Sequence, residues 1–418
     1  LNGNGAVKRH RVAVTGIGAI TPLGIGLDAL WDGVMAGRSA VRCIDRFDAS
    51  TFDSRVAAQV DGFDPNDFLA PKRVRWTDRF AQFALASAHM ALDDAGLPPD
   101  SFGDDAGVWI GSALGGLAYA EEQHDRFRDD GLRAVRPLLA IAVFGGAATT
   151  QVAIEFGIRG LNVANANSCA AGAVALGEAF RAVARGDVRI ALAGGAETPL
   201  SPLVFGSFAI IRAMSTRNDD PARASRPFDR DRDGFVMAEG SAIFVLERYE
   251  DAVARDAHIY GEIAGFGLTA DAHHMTAPLP EGNSSARAMR AALSEAHVAP
   301  DEIELIDAHG SSSPLNDVTE ARALHLAFGE CVTRIPVMAT KGHHGHALGA
   351  TGVWEAALTL LAMQAGRMPA LANLDNVEPT CDLDLVRETR ETGARLALSN
   401  STGFGGINAA LVLRSANA

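Results

Sequence analysis

Residues 169–179 read CAAGAVALGEA and residues 346–356 read HALGATGVWEA; superposed, the two stretches share five residues in eleven positions. The match makes the chain a duplicated unit, with Cys169 and His346 at equivalent helix starts and a pseudo-twofold axis bringing both ends to one site. Alanine-rich helices also match one another by chance, so the pattern around the two stretches decides.

Short β-branched runs alternate with alanine-rich helical stretches along the whole chain. RVAVTGIG (11–18), GVWIGSALGG (107–116), LNVANAN (161–167), RIALAGGAE (189–197) and SAIFVLERY (241–249) read as strands. Between them lie helices such as 78–95, closed by Gly96. From about Ile259 the rhythm restarts with IYGEIAGFGL, EIELIDAHG, IPVMAT, RLALSN and NAALVLR. The expected class is α/β in two halves, 11–258 carrying Cys169 and 259–415 carrying His309 and His346.

A chain of 418 residues is long enough for one large domain or two fused halves. A hydrophobic content of 48% with 21% charged residues belongs to a globular protein and not to a disordered one. The formal net charge of −14 and a pI near 5.3 argue against nucleic acid as a partner, because backbone binding needs a basic face. The longest apolar run, around 138–148, is too short to span a bilayer, and no charged-then-apolar segment opens the chain; a cytoplasmic protein with no membrane partner is expected. The opening LNGNGAVKRH reads as a frayed or trimmed end. Cys43, Cys169, Cys331 and Cys381 lack CxxC spacing, which indicates neither a zinc site nor a disulfide framework, and most of them read as small buried hydrophobes.

Cys169 stands apart because a helix start presents unpaired N–H groups that lower a thiol's pKa, and Ala170, Ala171 and Gly172 leave room beside it for an acyl group. Three later segments supply partners. DAHGSSSPLND places His309 just after a strand and before a Ser/Gly/Pro loop. ATKGHHGHALGATG adds Lys341, His343, His344 and His346, and SNSTGFGGINAA adds a glycine-rich turn whose N–H groups suit an oxyanion. Other motifs are set aside. DRDRDGFVMAEG (229–240) begins like a calcium loop but ends in Gly240 instead of a bidentate glutamate, and GIGAITPLG has Thr21 at the third glycine of a dinucleotide fingerprint. HHGH has no local carboxylate or cysteine to complete a metal site, so no metal is assigned.

With Cys169, His309, Lys341, His346 and GFGG in that order, the sequence resembles the β-ketoacyl-acyl carrier protein synthases of the chain-elongating synthase II type, over nearly its whole length. AMSTRNDDPARASRPFDRDRDGFVMAEG carries the resemblance almost residue for residue. It implies the thiolase-like fold, two βα halves in a five-layered α-β-α-β-α arrangement, as a homodimer or a heterodimer with a related subunit. It also implies a Cys-His-His site: Cys169 accepts the acyl group, His309 and His346 stabilise the enolate of malonyl carrier protein, and the Cys169 and Phe404 amides hold the oxyanion. By the same resemblance Lys341 and Glu320 organise the histidines, with Asp317 in the same segment. Phe404 gates the site, Phe235 walls the malonyl pocket and Leu114 lines the acyl pocket. Thr276, Ser311 and Ser313 meet the pantetheine arm. Lys72, Arg73, Arg75, Arg133 and Arg212 form a docking face for the acidic acyl carrier protein. No cofactor is implied beyond the carrier's phosphopantetheine.

Several positions depart from that pattern: Ala170 and Ala171 after the cysteine, HGSSSP in place of a threonine-bearing loop, the additional histidines His343 and His344, and Thr402 before GFGG. They put substrate identity in question more than reaction type. Fatty-acid elongation, a dedicated polyketide or polyene pathway and a non-catalytic carrier-binding scaffold subunit remain open, the last disfavoured by the complete Cys169, His309, Lys341, His346 set.

Overall fold

The computed structural model describes residues 9–416, so the first eight residues of the frayed-end reading lie outside the described residues. In chain order the elements that build the scaffold are β1 (Val12–Thr21), α1 (Arg79–Asp94), β2 (Ala106–Gly111), α2 (Ala147–Phe156), β3 (Asn162–Asn165), α3 (Ala171–Arg185), β4 (Ile190–Glu197) and β5 (Gly240–Arg248). They continue with β6 (Gly261–Ala270), α4 (Asn283–Ala296), β7 (Leu305–Asp307), α5 (Asn316–Phe328), β8 (Pro336–Met338), α6 (Thr351–Ala365), β9 (Asp384–Leu385), β10 (Leu396–Gly403) and β11 (Ile407–Ser415).

Local chemistry explains the boundaries. Asp78 caps α1 by accepting from the Ala81 amide at 3.2 Å, and Gly96, at φ 64°, closes it while the Leu97 amide reaches back to the Leu92 carbonyl. The helix expected over 78–95 is therefore present with its two flanking residues as caps. The expected strand 302–310 shrinks to β7, because His309 and Gly310 turn their amides to a side chain instead of a neighbouring strand.

The sheet order is β9-β8-β7-β10-β11-β6-β1-β5-β4-β2-β3, and it mirrors itself about the β6–β1 joint. On one side β2 pairs in parallel with β3 and β4, followed by antiparallel β4–β5 and β5–β1. On the other, β7 pairs in parallel with β8 and β10, followed by antiparallel β10–β11 and β11–β6. The joint itself is short, Val12–Val14 against Gly261–Ile263. Helices α3 and α6 pack on each other between the two sheet halves, α1 and α2 cover one outer face, and α4 and α5 the other. This is the five-layered thiolase-like arrangement.

The mirror extends to single residues. A Cβ on Gly16 or Gly18 of β1 would run into the α1 backbone at Ala91 and Ser87, and a Cβ on Gly265 or Gly267 of β6 would run into α4 at Ala292 and Ala288. Both Gly-x-Gly pairs let a helix lie directly on its strand.

The repeat is real, but its register differs from the sequence superposition. Ser168 and Leu348 share a positive φ, 50° and 41°, α3 and α6 begin three residues after them, and both helices close on a left-handed glycine, Gly186 and Gly366. Cys169 is thus equivalent to Gly349, and the same eleven positions then share only two residues, Ala170 with Ala350 and Gly172 with Gly352. The five-residue match had slipped by three, close to one helical turn, because an alanine-rich helix resembles itself after a turn. His346 lies ahead of the equivalent position, in an extended stretch bridged to Met237.

Candidate active site

Four strand ends converge. Cys169 follows β3, His309 follows β7, Lys341 and His346 follow β8, and Phe404 follows β10. In α/β proteins this carboxyl edge is where side chains and loops are free to meet a ligand. Cys169, His309, His346 and Phe404 line one cavity of about 320 Å³ together with Phe235, Thr276, Ser311, Ser313 and Arg212.

Cys169 sits in the 3-10 turn Ser168–Ala170, two residues ahead of α3, and is buried. Gly403 lies against it so closely that a Cβ there would stand 3.0 Å from the Cys169 amide nitrogen. The glycine therefore brings the Phe404 turn alongside Cys169. Burial pushes the thiol up to about 11, opposed by Ser168, the Phe404 amide and Lys341. The expected acidified thiol is corrected: removal from water outweighs the helix end. The cysteine expectation also narrows, since Cys381 is buried as Cys169 is, Cys331 is half-buried and Cys43 exposed.

The histidine side is built on charge. Glu320 Oε1 and Oε2 accept the amides of His309 and Gly310 at 2.7 and 2.8 Å, and Oε1 also accepts from Asn400 at 2.6 Å. Lys341 is fully buried, with its Nζ on the His309 carbonyl, on Glu355 at 2.5 Å and 3.3 Å from His309 Nδ1. An ammonium only donates, so Nδ1 accepts and the ring proton belongs on Nε2. His346 places its Nδ1 3.0 Å from the Thr351 hydroxyl, which donates when that ring also carries its proton on Nε2. The two rings stand edge to face with centroids 5.2 Å apart. Burial, then Lys341, push both well below the ordinary imidazole range, so both are neutral donors at neutral pH. Burial raises the carboxyls beneath them, Asp307 to about 7 and Glu320 and Glu355 above their usual range.

The remaining expected residues separate. Asp317 buttresses the site by accepting the Phe228 amide at 2.8 Å. Phe235 meets the His346 ring edge to face, and Phe404 stacks on Phe208. Leu114 does not line the cavity; it packs in the apolar cluster that includes Cys169, Phe205 and Leu348. Lys72, Arg75, Arg133 and Arg212 are exposed, whereas Arg73 is half-buried and bound to Glu155 at 2.6 Å and to the Gln151 carbonyl. The residues 229–240 are a structural turn: Asp229 accepts the amides of Asp231, Asp375 and Asn376, and Arg232 holds the carbonyls of Ser313 and Pro314. His343 bonds the carbonyls of Arg38 and Ala370, and among the described residues no His, Cys, Asp and Glu group is spaced to hold a metal.

Sequence reasoning missed Glu355, Asn400, Thr351 and Phe208, and also Glu197, which accepts the amides of Ala113, Leu114 and Gly349 and ties the loop after β2 to the turn after His346. Glu355 was in plain view inside HALGATGVWEA, where it read as part of the repeat.

A buried cysteine facing a cavity shared with two histidines, on two mirrored βα halves, defines a thiolase-like protein. The sequence profile of the Beta-ketoacyl synthase N-terminal domain matches residues 9–252, and that of the Beta-ketoacyl synthase C-terminal domain matches residues 260–375. The chain is 43% identical to 3-oxoacyl-[acyl-carrier-protein] synthase 2 of Synechocystis, covering 98% of this chain and 99% of that protein, and 41% identical to the protein of the same name from Coxiella burnetii, covering 97% and 99%. Among solved structures it matches the ishigamide ketosynthase/chain length factor with a TM-score of 0.91 at 34% identity, covering 97% of this chain and 99% of that one. The type II ketosynthase AntDE, solved with its acyl-carrier protein AntF, matches with a TM-score of 0.90 at 34% identity, covering 97% and 100%. The chain belongs to the β-ketoacyl synthase family.

Proposed function

We propose that the protein condenses an acyl group held on Cys169 with malonyl-acyl carrier protein, giving 3-oxoacyl-acyl carrier protein and CO2 in fatty-acid elongation. The observation that carries the reading is the shared cavity of Cys169, His309 and His346, with Lys341 on His309 Nδ1. In the first half reaction Cys169 sulfur attacks the carrier thioester, the Cys169 and Phe404 amides hold the oxyanion, and the departing pantetheine sulfur takes up the proton the cysteine gives up. In the second, the malonyl C–C bond breaks, its electron pair forms an enolate held by the His309 and His346 Nε2 protons, and CO2 leaves. The enolate carbon attacks the acyl carbonyl, and Cys169 departs as a thiolate that is then protonated. Every group this chemistry needs is a side chain, an amide or the substrate, so no separate cofactor is assigned.

Thr276, Ser311 and Ser313 suit the pantetheine amides, and Arg212 at the cavity mouth with Lys72, Arg75 and Arg133 suits an acidic carrier. The likeness to the ketosynthase of a type II polyketide synthase, and to a ketosynthase paired with a chain length factor, favours a second reading, a dedicated polyketide or polyene pathway with a partner subunit. The higher identity to the synthase 2 proteins favours elongation. Two halves, 11–258 and 259–415, a cytoplasmic location and a dimer complete the proposal. The dimer is supported by the exposed edge strand β3 and by the exposed apolar side chains Ile141, Val143, Phe144 and Leu161. Turnover assays with acyl carrier proteins of graded chain length test it: saturated medium chains accepted by the chain alone support elongation, and turnover only with a second subunit supports the alternative.

A further inference from the structure

The two additional histidines of KGHHGH have no part in the reaction above, yet both are buried beside it. His344 is the informative one. Its Nδ1 lies 2.8 Å from the Gly345 carbonyl and its Nε2 2.9 Å from the Thr340 hydroxyl, while its ring meets Trp354 of α6 edge to face at 5.2 Å. A carbonyl only accepts, so Nδ1 carries the proton and Nε2 accepts from Thr340. Burial, then Lys341, hold the ring down to about 3, which keeps it neutral at neutral pH, and the Gly345 carbonyl fixes the tautomer.

Each of the two partners is joined directly to a residue of the site. Thr340 immediately precedes Lys341, and Gly345 immediately precedes His346. The Gly345–His346 peptide is held from both sides: its carbonyl by His344, and its amide by the Val236 carbonyl at 2.7 Å. Gly345 itself is at φ 71°, where a Cβ would press on Ala58, Ala238 and Val236. That plane sets the direction in which His346 leaves the backbone.

We propose that His344 is a positioning residue that braces Thr340 against Gly345, and so fixes the separation and orientation of Lys341 and His346 for the decarboxylation half reaction. The inference rests on the condensing function proposed above. Cys169 has its side-chain hydrogen bond with Ser168 and none with His344, Thr340 or Gly345, so acyl transfer to it is expected to change little when His344 is replaced.

The test separates the half reactions. His344→Phe keeps the ring volume and the Trp354 contact and removes both hydrogen bonds, and His344→Asn restores a donor near the Gly345 carbonyl. Acylation of Cys169 from acyl carrier protein is followed by intact mass, and malonyl decarboxylation is measured in a Cys169→Gln background, with melting temperature alongside. His344→Phe is expected to acylate within about threefold of the parent and to lose roughly 30-fold in decarboxylation rate with little change in KM, the scale of a misplaced reacting group. His344→Asn is expected to recover most of that rate. Decarboxylation by His344→Phe at the parental rate, an equal loss in both half reactions, or no recovery in His344→Asn would overturn the positioning role. If His344→Phe does not fold, Thr340→Val leaves the ring in place and is expected to slow decarboxylation alone; an unchanged rate overturns the proposal equally. A parent that neither acylates nor decarboxylates overturns the condensing reading itself, a separate result from a parent that does both and a variant that matches it.

Discussion

Around Cys169 the molecule is apolar, with alanine, leucine, methionine and aromatic side chains, whereas around His309 and His346 it is a buried lattice of Lys341, Glu355, Glu320, Asp307, Asp317 and Asn400. The same cavity therefore has two unlike walls. In the proposed reaction the cysteine's wall offers room for an acyl group and two amides for an oxyanion, and needs little else. The histidine wall must hold two neutral rings with their protons forward, and in a dry interior only other charges and hydrogen bonds fix them so. Damage to one wall should spare the half reaction of the other.

The largest break comes at the cysteine. Cys169→Ala is expected to abolish acyl transfer, while Cys169→Gln, isosteric with the acylated state, keeps malonyl decarboxylation running; a Gln variant that still forms 3-oxoacyl product would remove the cysteine from the account. His309→Ala and His346→Ala are expected to acylate but to lose roughly 10²–10³-fold in decarboxylation, as when a charge-stabilising donor is removed. Normal decarboxylation in both would end their role. Gly403→Ala sharpens the comparison, because it lies on a second-half strand yet presses on the Cys169 amide. Acylation should fall roughly tenfold or more with decarboxylation spared, a fraction of a lost oxyanion donor.

A smaller effect tests the burial of the thiol. With its pKa raised to about 11, Cys169 is protonated at pH 8, and its thiolate fraction grows about tenfold per pH unit below that value. Iodoacetamide labelling of Cys169 should keep rising beyond pH 9, whereas a plateau by pH 8 would show an acidified thiol. The smallest effect lies at the surface: Arg75→Glu should weaken carrier binding several-fold at low salt and hardly at all near 1 M salt, where the Debye length is about 3 Å. Equal affinity at low salt would exclude that face.

The division between the walls also explains what was legible in the sequence. Strands and caps are local, so RVAVTGIG, RIALAGGAE and Gly96 announced themselves, as did the order of Cys169, His309, Lys341, His346 and GFGG. The duplication was legible but its register was not, because α3 and α6 are alanine-rich and match after a one-turn slip; the Gly16-x-Gly18 and Gly265-x-Gly267 pairs would have set it. Glu355, Asn400 and Glu197 act on residues distant in the chain, and no spacing rule reveals a buried carboxylate's partners. The thiol's pKa was misjudged because local helix geometry is visible in a sequence and burial is not. Arg73 looked like its basic neighbours until Glu155 was seen beside it.

The central claim is that one cysteine carries the acyl group and two histidines discharge it. Intact-protein mass spectrometry tests it most directly: the protein is incubated with acyl carrier proteins of several chain lengths and then with malonyl carrier protein. An acyl mass that maps to Cys169, persists without malonyl carrier and leaves as a 3-oxoacyl thioester with CO2 is the expected result. No adduct with any chain, or an adduct at a residue other than Cys169, would contradict the account.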